Sequence, residues 1–390
     1  MNRKIMLFGA GFVLYLLSTG LSYAGFSALR GGASSVTPSE SPKVSPSQKP
    51  KYKVDPSVPR DQVCPLNGMM YTGEEKDIWA TRRPLAVMIE NSEEARPQSG
   101  LSRADVVYEA LAEGWITRLM GVFYCNTPME NITFAPVRSA RTYFLDWVSE
   151  YDALYNHVGG AGRCPDDTVD PRAKALCQIG QYGIKDLDQF GIGYPDCYRN
   201  PDRLDHPVAT EHTMVCFSDN LYKIAQKREW TNVDEDGISW DKNFKSWTFK
   251  DDAPSSDRGT TNTVSIIFSP GYSKYDVSWN YDATEGTYKR VSGGAPHFDL
   301  EAQQQLSAKN IVVQLTKITG PVDDHGHLLY GTIGTGKALI FQDGKVIEGT
   351  WSKKTRTART VYFDEKGKEV KFNKGPIWIE VIPSVNQVTY

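Results

Sequence analysis

The sequence has little net charge, no closely spaced cysteine pair and no common zinc-binding histidine motif. Lys and Arg number 44 against 47 Asp and Glu, which gives a formal net charge of −3. A nucleic-acid-binding protein needs a clustered basic excess to displace counterions from phosphates, so this near balance excludes a general nucleic-acid binder. Neither Cys-x-x-Cys nor His-Glu-x-x-His spacing occurs. We therefore predict no metal site, and no cofactor is indicated.

Signatures of nucleophilic catalysis are also missing. The chain has no Gly-x-Ser-x-Gly elbow and no evident Cys/His catalytic pair, which argues against the common serine and cysteine hydrolases. Hydrophobic residues make up 40% and charged residues 23%, close to the usage of ordinary globular proteins, so wholesale disorder is excluded. The sequence leaves open whether the protein is an enzyme.

Residues 1–30 carry the features of an export signal. Arg3 and Lys4 precede an apolar stretch that has no charge before Arg30, and about 20 such residues span a bilayer. Two interpretations stand: a retained signal anchor, which we favour, or a signal peptide cleaved after Ala24. No cysteine lies near its end, which excludes a lipobox. The basic residues come first, so we predict a single-pass cell-membrane protein with its bulk outside the cytoplasm.

A Ser/Pro/Lys-rich tether is predicted over residues 31–62. It has almost no large apolar groups, so it cannot offset its own ordering entropy. If extended, it would reach on the order of 90 Å, enough to lift a domain off the membrane.

The cysteines predict disulfides, because an exported chain is exposed to an oxidising environment. The candidates are Cys64, Cys125, Cys164, Cys177, Cys197 and Cys216. Six cysteines allow 15 connectivities, and the sequence does not choose among them. No cysteine follows Cys216, which favours a domain boundary after it. We predict a cysteine-bearing domain over 63–255 and a second domain over 256–390.

The two predicted domains differ in periodicity. Apolar runs at 84–90, 105–110 and 117–124 predict buried strands, and 139–154 and 220–228 predict helices, with Ser139 as a possible N-cap. Strands interleaved with helices indicate a mixed α/β domain. After residue 260 the pattern is strand and turn, with a hairpin predicted at Asp343-Gly344. The predicted fold class is therefore an α/β domain followed by a mostly antiparallel, β-rich domain.

Sequence motifs in both halves resemble one bacterial family. They occupy residues 83–91, 96–101, 104–109, 113–118, 136–141 and 157–160 in the first half, and 281–282, 288–290, 310–314, 334–338 and 378–383 in the second. The chain resembles the YerB-like putative lipoprotein family, envelope proteins built from a domain of unknown function, over residues 64–390. It departs from that family in lacking the lipobox cysteine, so a protein anchor would replace the lipid. The cysteines also look like additions to the usual pattern.

An anion site is predicted around residues 136–141. Arg138 and Arg141 are three residues apart at a predicted helix start, where unpaired N–H groups and two guanidinium groups suit a phosphate or carboxylate. Arg96 and Arg118 are further candidates. The competing interpretation is that these arginines pair with nearby carboxylates in a structural network. His157, before a glycine-rich loop, is a candidate acid or base.

The order of these features also resembles the LytR-CpsA-Psr phosphotransferases, whose arginines hold the pyrophosphate of a polyprenyl-linked glycan. That resemblance implies that Asp105, Arg118, Arg138, Arg141 and the 159–160 glycines are the counterparts. It is one of pattern order, and fold-level analogy is weak support for function.

Two main hypotheses follow. The first is a membrane-anchored envelope protein that binds an anionic envelope ligand, such as a cell-wall component or a polyprenyl phosphate, or a protein partner, without catalysis. The alternative is an enzyme that handles phosphoryl groups or glycopolymers at the arginines. In a third view, the β-rich domain presents a strand edge to a protein partner.

Overall fold

The computed structural model of the chain describes residues 55–126 and 130–390. The predicted anchor at 1–30 and most of the predicted tether at 31–62 lie outside these residues. Within the described ranges, none of the helices combines the length and the apolar composition needed to cross a bilayer.

The described residues form short helices and many strands. The helices are α1 (Gly73–Trp79), α2 (Thr142–Val148), α3 (Ala175–Gln181), α4 (Gln189–Ile192) and α5 (Ser218–Lys227). The strands are β1 (Gln62–Val63), β2 (Met70–Tyr71), β3 (Leu85–Glu90), β4 (Val106–Leu111), β5 (Thr117–Phe123), β6 (Thr133–Phe134), β7 (Leu154–His157), β8 (Lys185–Asp188), β9 (Cys197–Arg199), β10 (Met214–Phe217), β11 (Thr248–Lys250), β12 (Thr263–Ile266), β13 (Val277–Asp282), β14 (Thr287–Ser292), β15 (Ala295–Pro296), β16 (Phe298–Asp299), β17 (Gln304–Gln305), β18 (Ser307–Ala308), β19 (Asn310–Leu315), β20 (Ile318–Thr319), β21 (Leu329–Tyr330), β22 (Gly334–Gln342), β23 (Lys345–Lys353), β24 (Val361–Asp364), β25 (Lys371–Asn373), β26 (Ile377–Ile382) and β27 (Val388–Thr389).

A ten-stranded mixed sheet organises the fold. Its order is β24-β23-β22-β19-β26-β4-β5-β3-β7-β8. The central strands β3, β4, β5 and β26 are buried at every position, as expected for strands covered on both faces. Their continuous apolar runs, without polar alternation, are the sequence feature that places them in the middle of the sheet.

Two hydrophobic cores cover the two faces of this sheet. On one face, Met88, Tyr108 and Met120 pack with α2 residues such as Trp147. On the other face, Val87 and Val107 belong to a core shared with α5 and with a second antiparallel sheet. That second sheet has the order β15-β14-β13-β12-β27, with β18 also paired to β14. The fold is thus a layered mixed α/β structure that is rich in strands and has few helices.

Strands from both predicted domains share the ten-stranded sheet. β26 pairs in parallel with β4 of the first segment and with β19 of the second. The described residues accordingly belong to one compact unit. The division near residue 255 stays a prediction as a boundary between independently folding parts, but the sheet itself is continuous across it.

The hairpin predicted at Asp343-Gly344 is present between β22 and β23. Both turn residues have positive φ, 54° and 67°, the conformation for which Asp-Gly is suited.

The helix predicted over 139–154 is shorter in the structure, and Ser139 is not its N-cap. α2 begins at Thr142 and its N-cap residue is Arg141. The preceding residues are held extended because Val137 bridges Ile89 and Ala140 bridges Gly160. Pairing with neighbouring backbone therefore overrides the helix start that the spacing suggested.

The six cysteines form three disulfides: Cys64–Cys125, Cys164–Cys177 and Cys197–Cys216. The first joins the β1–β2 region to the end of β5, and the third joins the paired strands β9 and β10. All the predicted disulfide candidates are therefore used.

Candidate functional site

The loops at one edge of the central sheet form the candidate site. Six strands, β3, β4, β7, β8, β19 and β26, run in the same direction, so their carboxyl ends meet at that edge. Ligands of open α/β sheets bind outside the carboxyl ends of the strands. Residues 137–141 cross this edge, because Val137 bridges the end of β3 and Ala140 bridges the glycines after β7.

Three of the predicted arginines, Arg118, Arg138 and Arg141, gather here and are called the arginine site. Arg141 makes a bidentate pair with Glu113, with Nε–Oε1 at 2.6 Å and Nη2–Oε2 at 2.7 Å. Arg118 lies 4.0 Å from the same carboxylate and donates from Nη1 to the Ser139 carbonyl at 3.2 Å. The Nε of Arg138 lies 3.5 Å from Glu90 Oε1. The ion pairs of these three guanidinium groups thus involve two carboxylates, Glu113 and Glu90, and the charge of Arg138 also acts on the exposed Glu211.

Burial and the charges of neighbouring groups shift the pKa values in the arginine site. Burial, followed by the charges of Arg141 and Arg138, lowers the pKa of Arg118 to about 10, although Glu113 acts in the opposite direction. Burial alone would raise the pKa of Glu113, but the hydrogen bonds and charges of Arg141 and Arg118 outweigh it and lower that pKa to about 2. Glu113 is therefore a fixed negative charge at neutral pH.

The arginine site retains donors that no described residue satisfies. Beyond the contacts above, Arg118 and Arg138 donate to no further acceptor in the described part of the chain. The hydroxyl of Tyr155 is buried without a hydrogen-bond partner there, and the charges of Arg118 and Arg141 act on it. A hydrogen-bond acceptor entering between these groups would meet several unpaired N–H and O–H groups.

His157 lies beside the arginine site and is fully buried. Its Nδ1 is 2.8 Å from the Gly159 carbonyl and its Nε2 is 2.9 Å from Asp186 Oδ1, so both ring nitrogens are engaged. Asp188 accepts the Gly159 N–H at 2.8 Å. His157 therefore holds the Gly159 carbonyl of the glycine loop and does not present a free nitrogen to solvent.

Asp105 lies at the opposite edge of the sheet from the arginine site. It precedes β4 and accepts from the backbone N–H groups of Tyr124 and Cys125, at the end of β5, whereas Arg118 is near the start of β5. Asp105 directly precedes Val106, which pairs with Val122, so Asp105 lies five strand positions, or about 16 Å, from Arg118 along β5. Burial raises the pKa of Asp105 to about 7 despite those two hydrogen bonds. The structure does not bring Asp105 to the arginines.

Arg96 also lies apart from the arginine site. It donates to the side chain and carbonyl of Asn91, at 3.1 and 3.2 Å, and to the Lys274 carbonyl at 3.0 Å. Its guanidinium lies over the Tyr275 ring. These contacts join the end of β3, in the ten-stranded sheet, to the residues just before β13.

A buried ionic cluster, missed by the sequence analysis as a unit, lies between the two sheets. Arg290 donates to Glu109 Oε2 at 2.5 Å, to Glu380 Oε1 at 3.0 Å and to His297 Nδ1 at 3.0 Å. Its guanidinium lies 4.4 Å from the Trp378 ring centroid. We call Arg290, Glu109, Glu380 and His297 the buried ionic cluster.

The pKa shifts in the buried ionic cluster result first from its burial away from water. Burial, followed by the charge of Glu109, raises the pKa of Glu380 well above its ordinary value. Burial and the neighbouring arginines lower the pKa of His297, whose Nε2 lies 2.6 Å from Gln98 Oε1. The available sequence signal was a single acidic residue inside each of two otherwise apolar strands, β4 and β26.

Comparisons with known proteins decide the family. The model "Protein of unknown function (DUF3048) N-terminal domain" matches residues 71–231, and the corresponding C-terminal domain model matches 264–379. "Putative lipoprotein YerB" of Bacillus subtilis (strain 168) is 30% identical over 315 residues, which is 78% of this chain and 82% of that protein. The chain belongs to the DUF3048 family. The resemblance to YerB-like proteins is thereby confirmed.

A solved structure of the DUF3048 family has the same fold. The crystal structure of YerB protein from Bacillus subtilis matches with a TM-score of 0.68 at 26% identity, covering 84% of this chain and 99% of that chain. The family is described as one of unknown function, so membership assigns no reaction.

Proposed function

We propose that this protein is an envelope-associated, extracytoplasmic protein that binds an anionic ligand at the arginine site without catalysis. The observation that carries the proposal is the convergence of Arg118, Arg138 and Arg141 on the ion pairs of only two carboxylates, Glu113 and Glu90, at the carboxyl edge of the sheet. The lowered pKa of Arg118, which results first from burial and then from the charges of Arg141 and Arg138, supports it, because a bound anion would stabilise the charged guanidinium group.

The arrangement of unpaired hydrogen-bond donors in the arginine site favours a phosphate or carboxylate as the ligand. Arg118 and Arg138 keep unpaired N–H groups, and the Tyr155 hydroxyl, on which the charges of Arg118 and Arg141 act, is also unpaired among the described residues. Guanidinium groups recognise planar carboxylates and phosphates with paired hydrogen bonds. A polyprenyl phosphate or an anionic wall polymer would supply such a group outside the cytoplasm.

Two observations favour binding over catalysis. The ring nitrogens of His157 are both engaged, so it is not poised to take a proton from a substrate. Asp105, the carboxylate of the enzyme hypothesis, is about 16 Å away along β5, too far to assist at the same phosphate.

The envelope location rests on the N-terminal sequence and on the relative named as a putative lipoprotein. Residues 1–30 would act as the anchor and residues 31–62 as the tether. Replacing Leu14, Leu16 and Leu17 together by Lys should release the chain from membranes on fractionation, because a charge at the bilayer centre opposes insertion. Unchanged membrane association of that variant would contradict anchoring by this segment.

Titration calorimetry tests the ligand. The full chain in detergent is titrated with inorganic pyrophosphate and with geranyl pyrophosphate. Arg138→Ala should weaken binding by about tenfold or more, since it removes a charge-assisted contact. Arg60→Ala is the matched control, because Arg60 is an exposed arginine paired with Glu75 far from the site. Equal affinity of Arg138→Ala and wild type would overturn the site.

The same preparation tests the absence of catalysis. Release of phosphate from either pyrophosphate by the wild type, lost in Arg138→Ala, would show turnover and favour the enzyme hypothesis instead.

A further inference from the structure

A cavity lies at the other end of the strands that carry the arginine site. Its volume is about 890 Å³, within the range of small-molecule sites. α3, β8 and residues 226–235 form its walls, and Arg83, just before β3, lies among its lining residues. β3 has six residues, so about 20 Å separates Arg83 from the end of β3 at the arginine site. We call this space the Arg83 cavity.

Arg83 is the unusual feature of this cavity. Its side chain is fully buried, and its Nη1 pairs with Asp152. Its Nε and Nη2 are both buried and have no hydrogen-bond partner among the described residues. These two nitrogens form one edge of the guanidinium group, the edge that binds a carboxylate or phosphate through two parallel hydrogen bonds. A buried charged donor left unpaired is costly, which makes a missing acceptor the natural explanation.

The walls of the Arg83 cavity define the rest of the ligand. Leu176 and Ile179 of α3 and the ring of Trp230 supply apolar surface. Arg228 covers the Trp230 ring, with its guanidinium carbon 5.1 Å from the ring centroid, and donates to the Asp186 carbonyl at 2.8 Å. The apolar surface suits a hydrocarbon or ring body next to the anionic group.

Acidic side chains at the mouth of the Arg83 cavity restrict the number of negative charges that its ligand can carry. Glu229, Asp234 and Glu235 line the cavity and are exposed. A ligand with charge along its whole length would be repelled there, whereas one with a single anionic end at Arg83 would not. This distinguishes the Arg83 cavity from the arginine site, for which we propose a more highly charged anion such as pyrophosphate.

We propose that the Arg83 cavity binds a small molecule that has one terminal carboxylate or phosphate and an apolar body. The anionic end pairs with the Nε–Nη2 edge of Arg83, and the body packs between α3 and Trp230. The site is independent of the proposed function at the arginine site.

Three fluorescent probes test this ligand class with the full chain in detergent. 1-Naphthoate and 1-naphthyl phosphate carry the two anionic groups, and 1-naphthol is the neutral comparison. At least one of the anions should bind about tenfold or more tightly than 1-naphthol, because only it can pair with Arg83. The tighter anion identifies the group that the site takes. No saturable binding of either anion at millimolar concentration would overturn the proposal.

Two variants test the location. Arg83→Lys keeps the charge beside Asp152 but lacks the two-nitrogen edge, so anion binding should fall about tenfold. Gly180→Phe introduces a ring at the α3 wall of the cavity, where an added Cβ atom meets nothing within 4 Å, and should obstruct binding without disturbing the core. Gly73→Phe, at an equally open helical position outside the cavity, should bind like wild type.

The results separate this proposal from the proposed function. Arg138→Ala should leave naphthyl binding unchanged, and Gly180→Phe should leave pyrophosphate binding unchanged. Wild-type naphthyl affinity in both Arg83→Lys and Gly180→Phe would refute the Arg83 cavity, whatever the pyrophosphate titration shows.

Discussion

Glu109 and Glu380 lie directly opposite each other on the parallel strands β4 and β26, and both bond to the guanidinium of Arg290. The two carboxylates come from different halves of the chain and Arg290 from a different sheet. Burial and the charge of Glu109 raise the pKa of Glu380 well above its ordinary value, which favours the protonated form of Glu380, and in that form it can donate to Glu109. The cluster then carries one negative and one positive charge, a balanced pair within the core.

Replacing the two glutamates should have unequal effects. Glu380→Gln retains an acceptor for Trp279 and Arg290 and replaces a neutral acid by a neutral amide, so it should change the free energy of unfolding by about 1 kcal/mol or less. Glu109→Gln leaves Arg290 buried without its counter-charge and should cost about 3–5 kcal/mol. Urea unfolding followed by tryptophan fluorescence measures both. Equal costs would contradict the assignment of the proton to Glu380.

The raised pKa of Glu380 also predicts a pH dependence. Proton binding to Glu380 is stronger in the folded chain, so its contribution to stability is complete below the unfolded pKa, about 4.3, and is lost as pH rises through the folded pKa. Glu380→Gln has no such group. The difference in unfolding free energy between the variant and the wild type should therefore shift in favour of the variant as pH rises above about 4.3. A constant difference across the pH range would show that Glu380 does not titrate on folding.

The fold was predictable where local chemistry determines it. The β22–β23 hairpin follows from Asp343-Gly344, because Asp and Gly tolerate the positive φ that a two-residue hairpin turn requires. The strand at 377–382 was found from its apolar run. Its place between β4 and β19 was not, because a parallel pairing has no connecting turn and depends on residues that are 271 and 67 positions away.

The candidate site was predictable only in part, for the same reason. Arg138 and Arg141 are close in sequence, and Arg118 joins them through the pairing of β5 with β3. Asp105 and Arg118 are only 13 positions apart, yet the β4–β5 hairpin places them at opposite edges, since Arg118 lies opposite Ala110. The buried ionic cluster required the packing of two sheets, which no local pattern encodes.

The disulfides should contribute to stability in the order of the lengths of the chain segments that they close. Cys64 and Cys125 are 61 positions apart, whereas Cys164 and Cys177 are 13 apart. In the chain-entropy account, the longer loop contributes about 4 kcal/mol and the shorter about 3 kcal/mol. The double variants Cys64→Ala/Cys125→Ala and Cys164→Ala/Cys177→Ala, compared by urea unfolding, measure this. A larger loss from the shorter loop would indicate that the native contacts, not the unfolded chain, dominate.

Glu113→Gln should lower stability, because Glu113 neutralises the arginine site. Folding lowers the pKa of Glu113 from an ordinary 4.5 to about 2, so its contribution is present above pH 4.5 and is lost as pH falls through about 2. That shift corresponds to about 3 kcal/mol at neutral pH, which the variant should lack. The unfolding free energy of both proteins, measured as the pH is lowered, tests this contribution. If Glu113→Gln loses as much stability as the wild type between pH 4.5 and 2, the lowered pKa does not belong to Glu113.

The same substitution should strengthen anion binding, and this links the stability of the site to its proposed use. In the wild type, Nε and Nη2 of Arg141 both donate to Glu113, and Nη1 of Arg118 lies 4.0 Å from the Glu113 carboxylate. Glu113→Gln removes the competing charge, so pyrophosphate should bind about tenfold more tightly even though the free protein is less stable. Glu75→Gln, in which an exposed arginine loses its partner far from the site, should leave the affinity unchanged. If the affinity of Glu113→Gln falls instead, Glu113 serves to position the arginines and its charge does not compete with the ligand.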